Sequence, residues 1–258
     1  MTAELLPNLA SDPVRLVALE AVHNFRDLGG YATADGRTTK WRTLFRADGL
    51  YRLTPSDVTI LEPLGLHTVI DLRSAAELDE RGRFPVDVHP VVFHHLPIVD
   101  ATWAEVDRPN YERDEDFLIW AYQEMLTVGA PRFAMAFDVL VEADALPAVF
   151  HCAAGKDRTG LLAALLLGSL GVSHDDIVAD YTLTVEGMAR FRVWAAREWP
   201  GWKERMASLP PAFTAALPEA MRHIVNELHA DHGSIRNYVK SIGVSDATLA
   251  ALESALLA

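Results

Sequence analysis

The sequence has one cysteine, Cys152, among its 258 residues. A single cysteine excludes an internal disulfide and a cysteine-rich metal site, and it leaves an oxidised thiol without a second cysteine to resolve it. Long hydrophobic runs are also missing: the longest, LLAALLLGSLGV, is well short of the roughly 20 residues that a membrane-spanning helix needs. The sequence therefore predicts a globular protein that has an unpaired thiol and does not insert into a membrane.

Basic residues are in the minority, with 23 Lys and Arg against 36 Asp and Glu, and the net charge is −13. This balance argues against a broad surface for nucleic acid or anionic lipid, and any bound anion needs a local site that overcomes the overall field.

The first residues lack the basic start and apolar centre of a signal peptide. A cytoplasmic location is therefore expected, with export by a route that uses no cleaved signal left open, as is the oligomeric state.

Predicted strands alternate with predicted helices along most of the chain. The stretches HTVIDL and PAVFH are typical of buried strands, and PRFAMAFDVLVEAD predicts a helix with an apolar face. This alternation indicates an α/β fold with helices on both faces of a sheet, formed by residues 1–258 as a single domain. Residues 101–129 and 186–216 fit the alternation poorly and are interpreted as helical insertions. They are either peripheral helices or a lid over a site.

The stretch VFHCAAGKDRTGLLAALLLGSLG, residues 149–171, predicts a strand, a tight loop and a helix. The start of a helix presents unpaired N–H groups and a partial positive charge, so such a loop forms a cradle for an anion. Gly155 allows the turn, and Arg158 offers a planar fork for two phosphate oxygens. Cys152 at the base of the cradle is favoured as a thiolate nucleophile. The loop residues predicted to contact the anion are Ala153, Ala154, Gly155, Lys156, Asp157 and Arg158.

Three other interpretations of this loop are less well supported. An isolated cysteine is often a small buried hydrophobic residue, but this does not account for an arginine six positions later across a glycine-containing loop. A nucleotide-binding loop needs G-x-x-x-x-G-K-[ST], whereas here GKD follows and the upstream glycine is absent. A sulfurtransferase loop also carries a cysteine, but the spacing from Cys152 to Arg158 and the following Thr159-Gly160 argue against it.

HCAAGKDRTG resembles the cysteine-phosphatase signature H-C-x5-R-[ST]-G. Its GKD core is similar to that of the bacterial atypical tyrosine phosphatases, some of which also act on phosphoinositides. HNFRDLGGY, LFRADGLYRLT, VIDLRSAAE, GVSHDDIVADYTLT and the last part of the chain also look like segments of that family. The resemblance covers roughly the whole chain except the two insertions. It implies the cysteine-phosphatase fold, with a central, mostly parallel sheet flanked by helices.

The resemblance implies a role for each residue of the loop. Cys152 would attack phosphorus, and Arg158 would hold the equatorial oxygens and the developing charge. His151 would support the loop, and Thr159 would donate a hydrogen bond to the departing sulfur. Lys156 would add a positive charge at the rim, although a solvated loop lysine is the simpler interpretation. This chemistry requires neither a metal ion nor a cofactor.

The general acid that protonates the leaving oxygen is not settled by the sequence. Three aspartates are candidates, because the carboxyl ends of parallel strands meet at one edge of a sheet. Asp71 ends the strand HTVIDL, Asp157 lies in the GKD core, and Asp100 ends LPIVD. We rank Asp71 and Asp157 ahead of Asp100. The alternative for Asp71 is a salt bridge with Arg73 or Arg26 that supports the loop.

Two charged pairs near the N-terminus are predicted to support the loop from behind. Arg26 and Asp27 lie in HNFRDLGG, and Arg46 and Asp48 lie in LFRAD. We expect these side chains to hold the cradle without touching the substrate.

Aromatic residues within the second insertion suggest a cover for the site. Phe191 and Trp194, and likewise Trp199 and Trp202, are spaced to share one face of a helix. Family members that this chain resembles have a lid, so one interpretation is that the segment covers the site as a lid. The simpler interpretation is a pair of helices that stays packed on the body of the protein.

Taken together, the residues and the resemblance predict a metal-independent phosphomonoester hydrolase that forms a cysteinyl-phosphate. Its expected substrate is phosphotyrosine in a protein or peptide, with phosphoserine, phosphothreonine and phosphoinositides as further candidates. The alternative is a pseudophosphatase, a module that binds phosphate groups without turnover.

Overall fold

Five short strands form one sheet in the order β1-β2-β5-β3-β4. The computed structural model describes residues 15–100, 111–198, 201, 212 and 215–258. Strand β1 is antiparallel to β2, and the pairs β2–β5, β5–β3 and β3–β4 are parallel. The predicted mostly parallel sheet is therefore confirmed. The strands are β1 (Arg26–Asp27), β2 (Leu44–Ala47), β3 (Thr68–Asp71), β4 (Val92–His95) and β5 (Ala148–His151).

Ten α-helices lie within the described residues. They are α1 (Pro55–Leu61), α2 (Ala75–Arg81), α3 (Asp114–Val128), α4 (Ala130–Leu140), α5 (Asp157–Ser169), α6 (His174–Thr182), α7 (Thr184–Glu198), α8 (Pro218–His232), α9 (Ile235–Ser241) and α10 (Asp246–Leu256). No helix in this part of the chain is both long and apolar enough to cross a membrane.

The central strand β5 is buried on both faces. Ala148 and Phe150 belong to the larger hydrophobic cluster, and Val149, which points the opposite way, belongs to the smaller one. Helices α3 to α6 and α8 to α10 contribute to the larger cluster. Helix α1 and flanking loops cover the other face. The predicted α/β fold with both faces of the sheet covered is confirmed.

The parallel register brings three strand ends to one edge of the sheet. Ala47 of β2 and Asp71 of β3 both pair with His151 of β5. The residues that follow these positions, Asp48 and Cys152 among them, therefore leave the sheet side by side. This is the edge at which open α/β sheets bind ligands.

Two helices begin with reciprocal hydrogen bonds that the sequence pattern predicts. At α1, the Thr54 hydroxyl accepts from the Asp57 N–H and the Asp57 carboxylate accepts from the Thr54 N–H, both at 3.2 Å. At α2, Ser74 and Glu77 make the same exchange at 3.2 and 3.0 Å. Both are capping boxes, which start a helix sharply by satisfying its first donors. The second one also fixes the side chain of Glu77.

Helix α3 differs from the expectation for residues 101–129. Its inward face joins the larger hydrophobic cluster, so this helix is part of the core and does not merely surround it. Residues 101–110 lie outside the described residues. The buried side chains of α3 are Phe117, Leu118, Ala121, Tyr122, Met125 and Leu126.

Helix α7 covers the first part of the predicted insertion 186–216. Phe191 and Trp194 stack on one face of the helix, with ring centroids 5.8 Å apart, as their spacing predicts. Both rings also contact the imidazole of His23. Trp199 and Trp202 lie outside the described residues, so the lid stays a prediction.

Candidate active site

The loop between β5 and α5 has the predicted strand–loop–helix arrangement. Cys152 follows β5 directly and is buried as a free thiol. Lys156 occupies the N-cap position of α5, and its side chain makes no capping hydrogen bond. The first N–H groups of α5 are therefore not capped by this residue. They are available to an anion above the thiol.

Carbonyl groups of the loop are bonded to the body of the protein. The Ala153 carbonyl accepts from the Gly49 N–H at 3.2 Å, and the Asn24 amide donates to the carbonyls of Ala154 and Gly155 at 3.2 and 3.1 Å. In a trans peptide the N–H points opposite to the carbonyl. The N–H groups that follow these carbonyls are therefore expected to face away from the body, toward a bound phosphate.

Arg46 supports the loop from below and is fully buried. Its guanidinium donates to the Gly155 carbonyl at 2.7 Å and to a carboxylate oxygen of Asp180, in α6, at 2.5 Å. The other oxygen of Asp180 accepts from Arg26 at 3.0 Å and from the Tyr31 hydroxyl at 3.1 Å. Arg26 and Arg46 therefore belong to a buried ionic cluster centred on Asp180, in contact with the loop through Gly155.

The charges of this cluster depend on each other. Burial lowers the pKa of Arg46 to about 10, with Arg26 acting in the same direction and Asp180 opposing it. Burial alone would raise the pKa of Asp180, but Arg26 and Arg46 outweigh it and hold that pKa well below its usual value. Removing the Asp180 carboxylate would leave two guanidinium charges uncompensated in the interior.

Of the two aspartates predicted to support the loop, only Asp48 has a contact that leads to it. Asp27 accepts from the N–H groups of Gly29 and Arg42, both at 2.7 Å, and so fixes a turn. Asp48 accepts from the N–H groups of His23 and Asn24 at 3.0 and 2.8 Å. It therefore holds the asparagine that supports the loop.

Arg158 lies in the first turn of α5, and its guanidinium is paired with Glu77. The two side chains meet through two hydrogen bonds of 2.5 and 3.0 Å. Burial alone would lower the pKa of Arg158, but the charges of Cys152, Glu77 and Asp157 outweigh it and raise that pKa. The fork is therefore charged and held in one plane before any substrate arrives.

The carboxylate of Asp71 is buried, and both of its oxygens are bonded to Arg73. Its carboxylate accepts from the Arg73 Nε at 2.9 Å and from a terminal nitrogen of Arg73 at 2.6 Å. Burial alone would raise the pKa of Asp71, but His151 and Arg73 outweigh it and lower that pKa. The prediction that Asp71 supplies the proton stays untested, but these contacts do not favour it, because both oxygens already face an arginine. They match the alternative, a salt bridge with Arg73.

Of the remaining two candidates, Asp157 is the one within the loop. Its side chain is 21% exposed, and its Oδ1 atom accepts from the Tyr122 hydroxyl at 2.8 Å. Asp100 is exposed and is the last described residue before 111. The geometry therefore favours Asp157 over Asp100 and Asp71 as the proton donor.

His151 and Thr159 lie in the sequence on either side of the loop, and both are buried. His151 is buried, with its Nδ1 3.3 Å from the Cys152 carbonyl oxygen and its Nε2 3.5 Å from Asp71. Burial lowers the pKa of His151, so the ring is neutral near pH 7. The Thr159 hydroxyl is buried and has no hydrogen-bond partner among the described residues.

Lys156 is buried, which neither interpretation of its role anticipated. Its ammonium donates to the carbonyls of Ala212 and Ala215 at 2.7 and 2.8 Å, and it lies 3.4 Å from Asp157 Oδ1. In this structure the side chain joins the loop to the segment before α8. It is not exposed at the rim.

The geometry of the loop and the sequence of the whole chain lead to the same family. The family model described as "Tyrosine phosphatase family" matches residues 17–258. The chain belongs to the tyrosine phosphatase family. The predicted resemblance is therefore confirmed, and the protein is a hydrolase of the phosphatase class.

Two relatives of this phosphatase match most of the chain. A candidate tyrosine-protein phosphatase of Cupriavidus necator is 32% identical over 234 residues, 87% of this chain and 82% of its own length. The triple specificity protein phosphatase PtpB of Mycobacterium tuberculosis is 29% identical over 279 residues, 93% of this chain and 98% of its own length.

One solved structure, the catalytic core of the PP-IP phosphatase Siw14 from S. cerevisiae, aligns with 75% of this chain and 98% of its own. The sequence identity is 14% and the TM-score is 0.38. This similarity is too low to support an argument about substrate.

Three partners of the phosphatase loop were not predicted. Glu77 belongs to the capping box of α2, but its bond to Arg158 joins positions 81 apart in the sequence. Asp180 and Tyr122 reach the site from helices α6 and α3, which lie outside the loop sequence. Among the described residues, no group of three or more His, Cys, Asp or Glu side chains is placed to hold a metal ion.

Gly155→Ala is expected to damage the loop and the activity together. Gly155 has φ +64°, and a Cβ there would lie 2.6 Å from the Ala47 carbonyl oxygen and 2.8 Å from the Asn24 amide nitrogen. Gly36 is the matched control, because it has φ +88° and nothing within 4 Å of a Cβ. Gly36→Ala should lower the free energy of unfolding by about 1 kcal/mol through backbone strain and leave turnover unchanged.

Urea unfolding and inhibition by inorganic phosphate measure the two effects. Gly155→Ala should be less stable than Gly36→Ala and should bind phosphate more weakly. Equal losses of stability with intact phosphate inhibition would show that the close contacts of this loop do not matter.

Glu77→Gln is expected to destabilise the protein in a pH-dependent way. Arg158 holds the pKa of Glu77 down at about 2, against 4.5 for an ordinary glutamate, although burial alone would raise it. A lowered folded-state pKa contributes stability above the unfolded-state pKa, and this contribution is lost as the pH falls toward 2. The stability advantage of the wild type should therefore be largest near pH 7 and shrink from about pH 5 downward.

The measurement is the free energy of unfolding in urea at pH 7, 5 and 4. Glu80→Gln is the control on the same helix, because its carboxylate is exposed and 3.7 Å from Arg81. A pH-independent difference between the wild type and Glu77→Gln would contradict the ion pair as its source.

Proposed function

We propose that the protein hydrolyses phosphomonoesters without a metal ion, through a phosphocysteine formed on Cys152. The observation that supports this most strongly is the free thiol at the base of the loop, directly before an uncapped helix start that carries Arg158. Phosphotyrosine is the proposed substrate, with phosphoserine, phosphothreonine and phosphoinositides as further candidates. The name of the M. tuberculosis relative, a triple specificity protein phosphatase, supports a range wider than phosphotyrosine.

In the first step the Cys152 thiolate attacks phosphorus, and the bond between phosphorus and the leaving oxygen breaks. The loop N–H groups and the Arg158 fork hold the three equatorial oxygens as negative charge develops on them. The carboxyl group of Asp157 gives its proton to the leaving oxygen, so that an alcohol or phenol departs.

In the second step a water molecule attacks the phosphocysteine. The Asp157 carboxylate takes a proton from the water, the phosphorus–sulfur bond breaks, and inorganic phosphate and the thiolate result. The unpartnered hydroxyl of Thr159 is the proposed donor to the departing sulfur. His151 supports the loop as a neutral ring.

Lys156 is the proposed contact for a further anionic group of the substrate, although its side chain is buried in this structure. To make that contact the ammonium would leave the carbonyls of Ala212 and Ala215 and donate to phosphate or carboxylate oxygens, which are also hydrogen-bond acceptors. A second phosphate of an inositol lipid, or an acidic side chain of a peptide, is the group that we propose it would contact.

Cys152→Ser should abolish turnover of p-nitrophenyl phosphate while leaving the fold and phosphate binding in place, because a serine hydroxyl is a poor nucleophile in a site built for a thiolate. EDTA should leave the wild-type rate unchanged, and vanadate should inhibit it. Acid quenching of the wild type followed by mass spectrometry should find a phosphoryl group on the peptide that contains Cys152.

Circular dichroism and thermal unfolding check that the variant is folded. Retention of about a tenth or more of the wild-type kcat by Cys152→Ser would overturn the nucleophile assignment. A wild type that binds vanadate but turns over no phosphomonoester would support the pseudophosphatase alternative.

The assignment of the acid can be tested by the leaving group. Asp157→Asn should lower kcat/KM for phenyl phosphate by about 100-fold or more, since a poor leaving group needs the proton. The same variant should keep kcat/KM for 2,4-dinitrophenyl phosphate, whose leaving group departs as an anion. Asp71→Asn should lower stability and affect both substrates alike, and Asp100→Asn should change neither. A leaving-group dependence in Asp71→Asn or Asp100→Asn would move the role to that residue.

A further inference from the structure

Two tyrosines connect the loop aspartate to the core of the protein. The Tyr122 hydroxyl, from α3, lies 2.8 Å from Asp157 Oδ1 and 2.6 Å from the hydroxyl of Tyr181 in α6. Both rings are buried and meet edge to face, with centroids 6.3 Å apart. The chain of bonds therefore runs from α6 through α3 to the proposed acid.

The direction of this chain follows from counting protons. A carboxylate oxygen only accepts, so the single proton of Tyr122 goes to Asp157 Oδ1. The oxygen of Tyr122 can then only accept from Tyr181, so Tyr181 gives its own proton to Tyr122. Burial raises the pKa of both phenols, with the charge of Asp157 acting in the same direction, so both keep their protons.

This order distinguishes the two oxygens of Asp157. Oδ1 accepts from Tyr122 and also lies 3.4 Å from the Lys156 ammonium. Oδ2 receives no hydrogen bond from the described residues. A proton on Oδ1 would point toward two groups that themselves donate protons, the Tyr122 hydroxyl and the Lys156 ammonium. A proton on Oδ2 would meet no such donor among the described residues. The carboxylic acid form therefore carries its proton on Oδ2.

We propose that Tyr122, supported by Tyr181, is a positioning residue that fixes Asp157 so that its Oδ2 proton is directed to the leaving oxygen. This rests on the proposed role of Asp157 as the general acid. As the phosphorus–oxygen bond breaks, the proton moves from Oδ2 to the leaving oxygen. The carboxylate that results keeps its hydrogen bond from Tyr122 on Oδ1.

The test is the dependence of kcat/KM on the leaving group, measured with the full chain and a series of aryl phosphates. Tyr122→Phe keeps the ring in its core position and removes only the hydroxyl. We expect a loss of about tenfold with phenyl phosphate, smaller than the loss of the acid itself. We expect a change of less than about twofold with 2,4-dinitrophenyl phosphate, which needs no acid. Tyr181→Phe should show the same pattern to a smaller extent.

Tyr238→Phe is the matched control. Its hydroxyl is also buried and also bonds to α3, donating to the Leu126 carbonyl at 2.8 Å, but it has no link to Asp157. We expect this variant to lose some stability and to keep the wild-type dependence on the leaving group.

The outcomes separate this inference from the proposed function. If Asp157→Asn makes kcat/KM depend steeply on the leaving group and Tyr122→Phe does not, the positioning role is overturned and the acid assignment stands. If Asp157→Asn itself shows no such dependence, the acid assignment fails and the positioning role fails with it. Thermal unfolding checks each variant. Should Tyr122→Phe not fold, Tyr181→Phe decides, and an unchanged dependence in that variant overturns the inference.

Discussion

The carbonyl oxygen of Gly155 accepts from a fully buried guanidinium, that of Arg46, and the rest of the site depends on this contact. A buried guanidinium is unfavourable unless its charge is matched, so Arg46 requires Asp180. Asp180 is shared with Arg26 and Tyr31, which ties β1, β2 and α6 to a single carboxylate. The loop is therefore organised before a phosphate enters, and little reorganisation is needed when charge develops on the substrate.

Carboxylates match most of the positive charge near the proposed phosphate site, and the exception is the pair Arg26 and Arg46, which share Asp180 beneath the loop. Within a chain of net charge −13, the guanidinium of Arg73 is matched by Asp71 and that of Arg158 by Glu77. What remains for a phosphate is the set of loop N–H groups and the outer edge of the Arg158 fork. These contacts depend on shape, because only a group that fits the loop can reach its N–H groups.

The sequence predicted those parts of the site whose residues lie close together in the chain. The loop 152–158 was predicted from the order strand, turn and helix start, and the sheet edge correctly placed Asp71 near it. The predicted role of Asp71 as the acid stays a prediction, and its contact with Arg73, two residues later, supports the alternative of a salt bridge. Glu77 and Tyr122 were missed as site residues because their partners are 81 and 35 positions away. Such contacts follow from how helices pack, and a single sequence contains no periodicity that reports them.

Helix α6 carries two consecutive residues that serve different ends of the site. Asp180 points to the ionic cluster beneath the loop, and Tyr181 points to the hydroxyl that contacts Asp157. Successive side chains of an α-helix are about 100° apart around its axis. Asp180 therefore reaches the arginines and Tyr181 reaches Tyr122 in only one rotation of the helix about that axis. In evolutionary terms, an insertion or deletion within His174–Thr182 would break both connections at once. Length variation in relatives is therefore expected outside this helix.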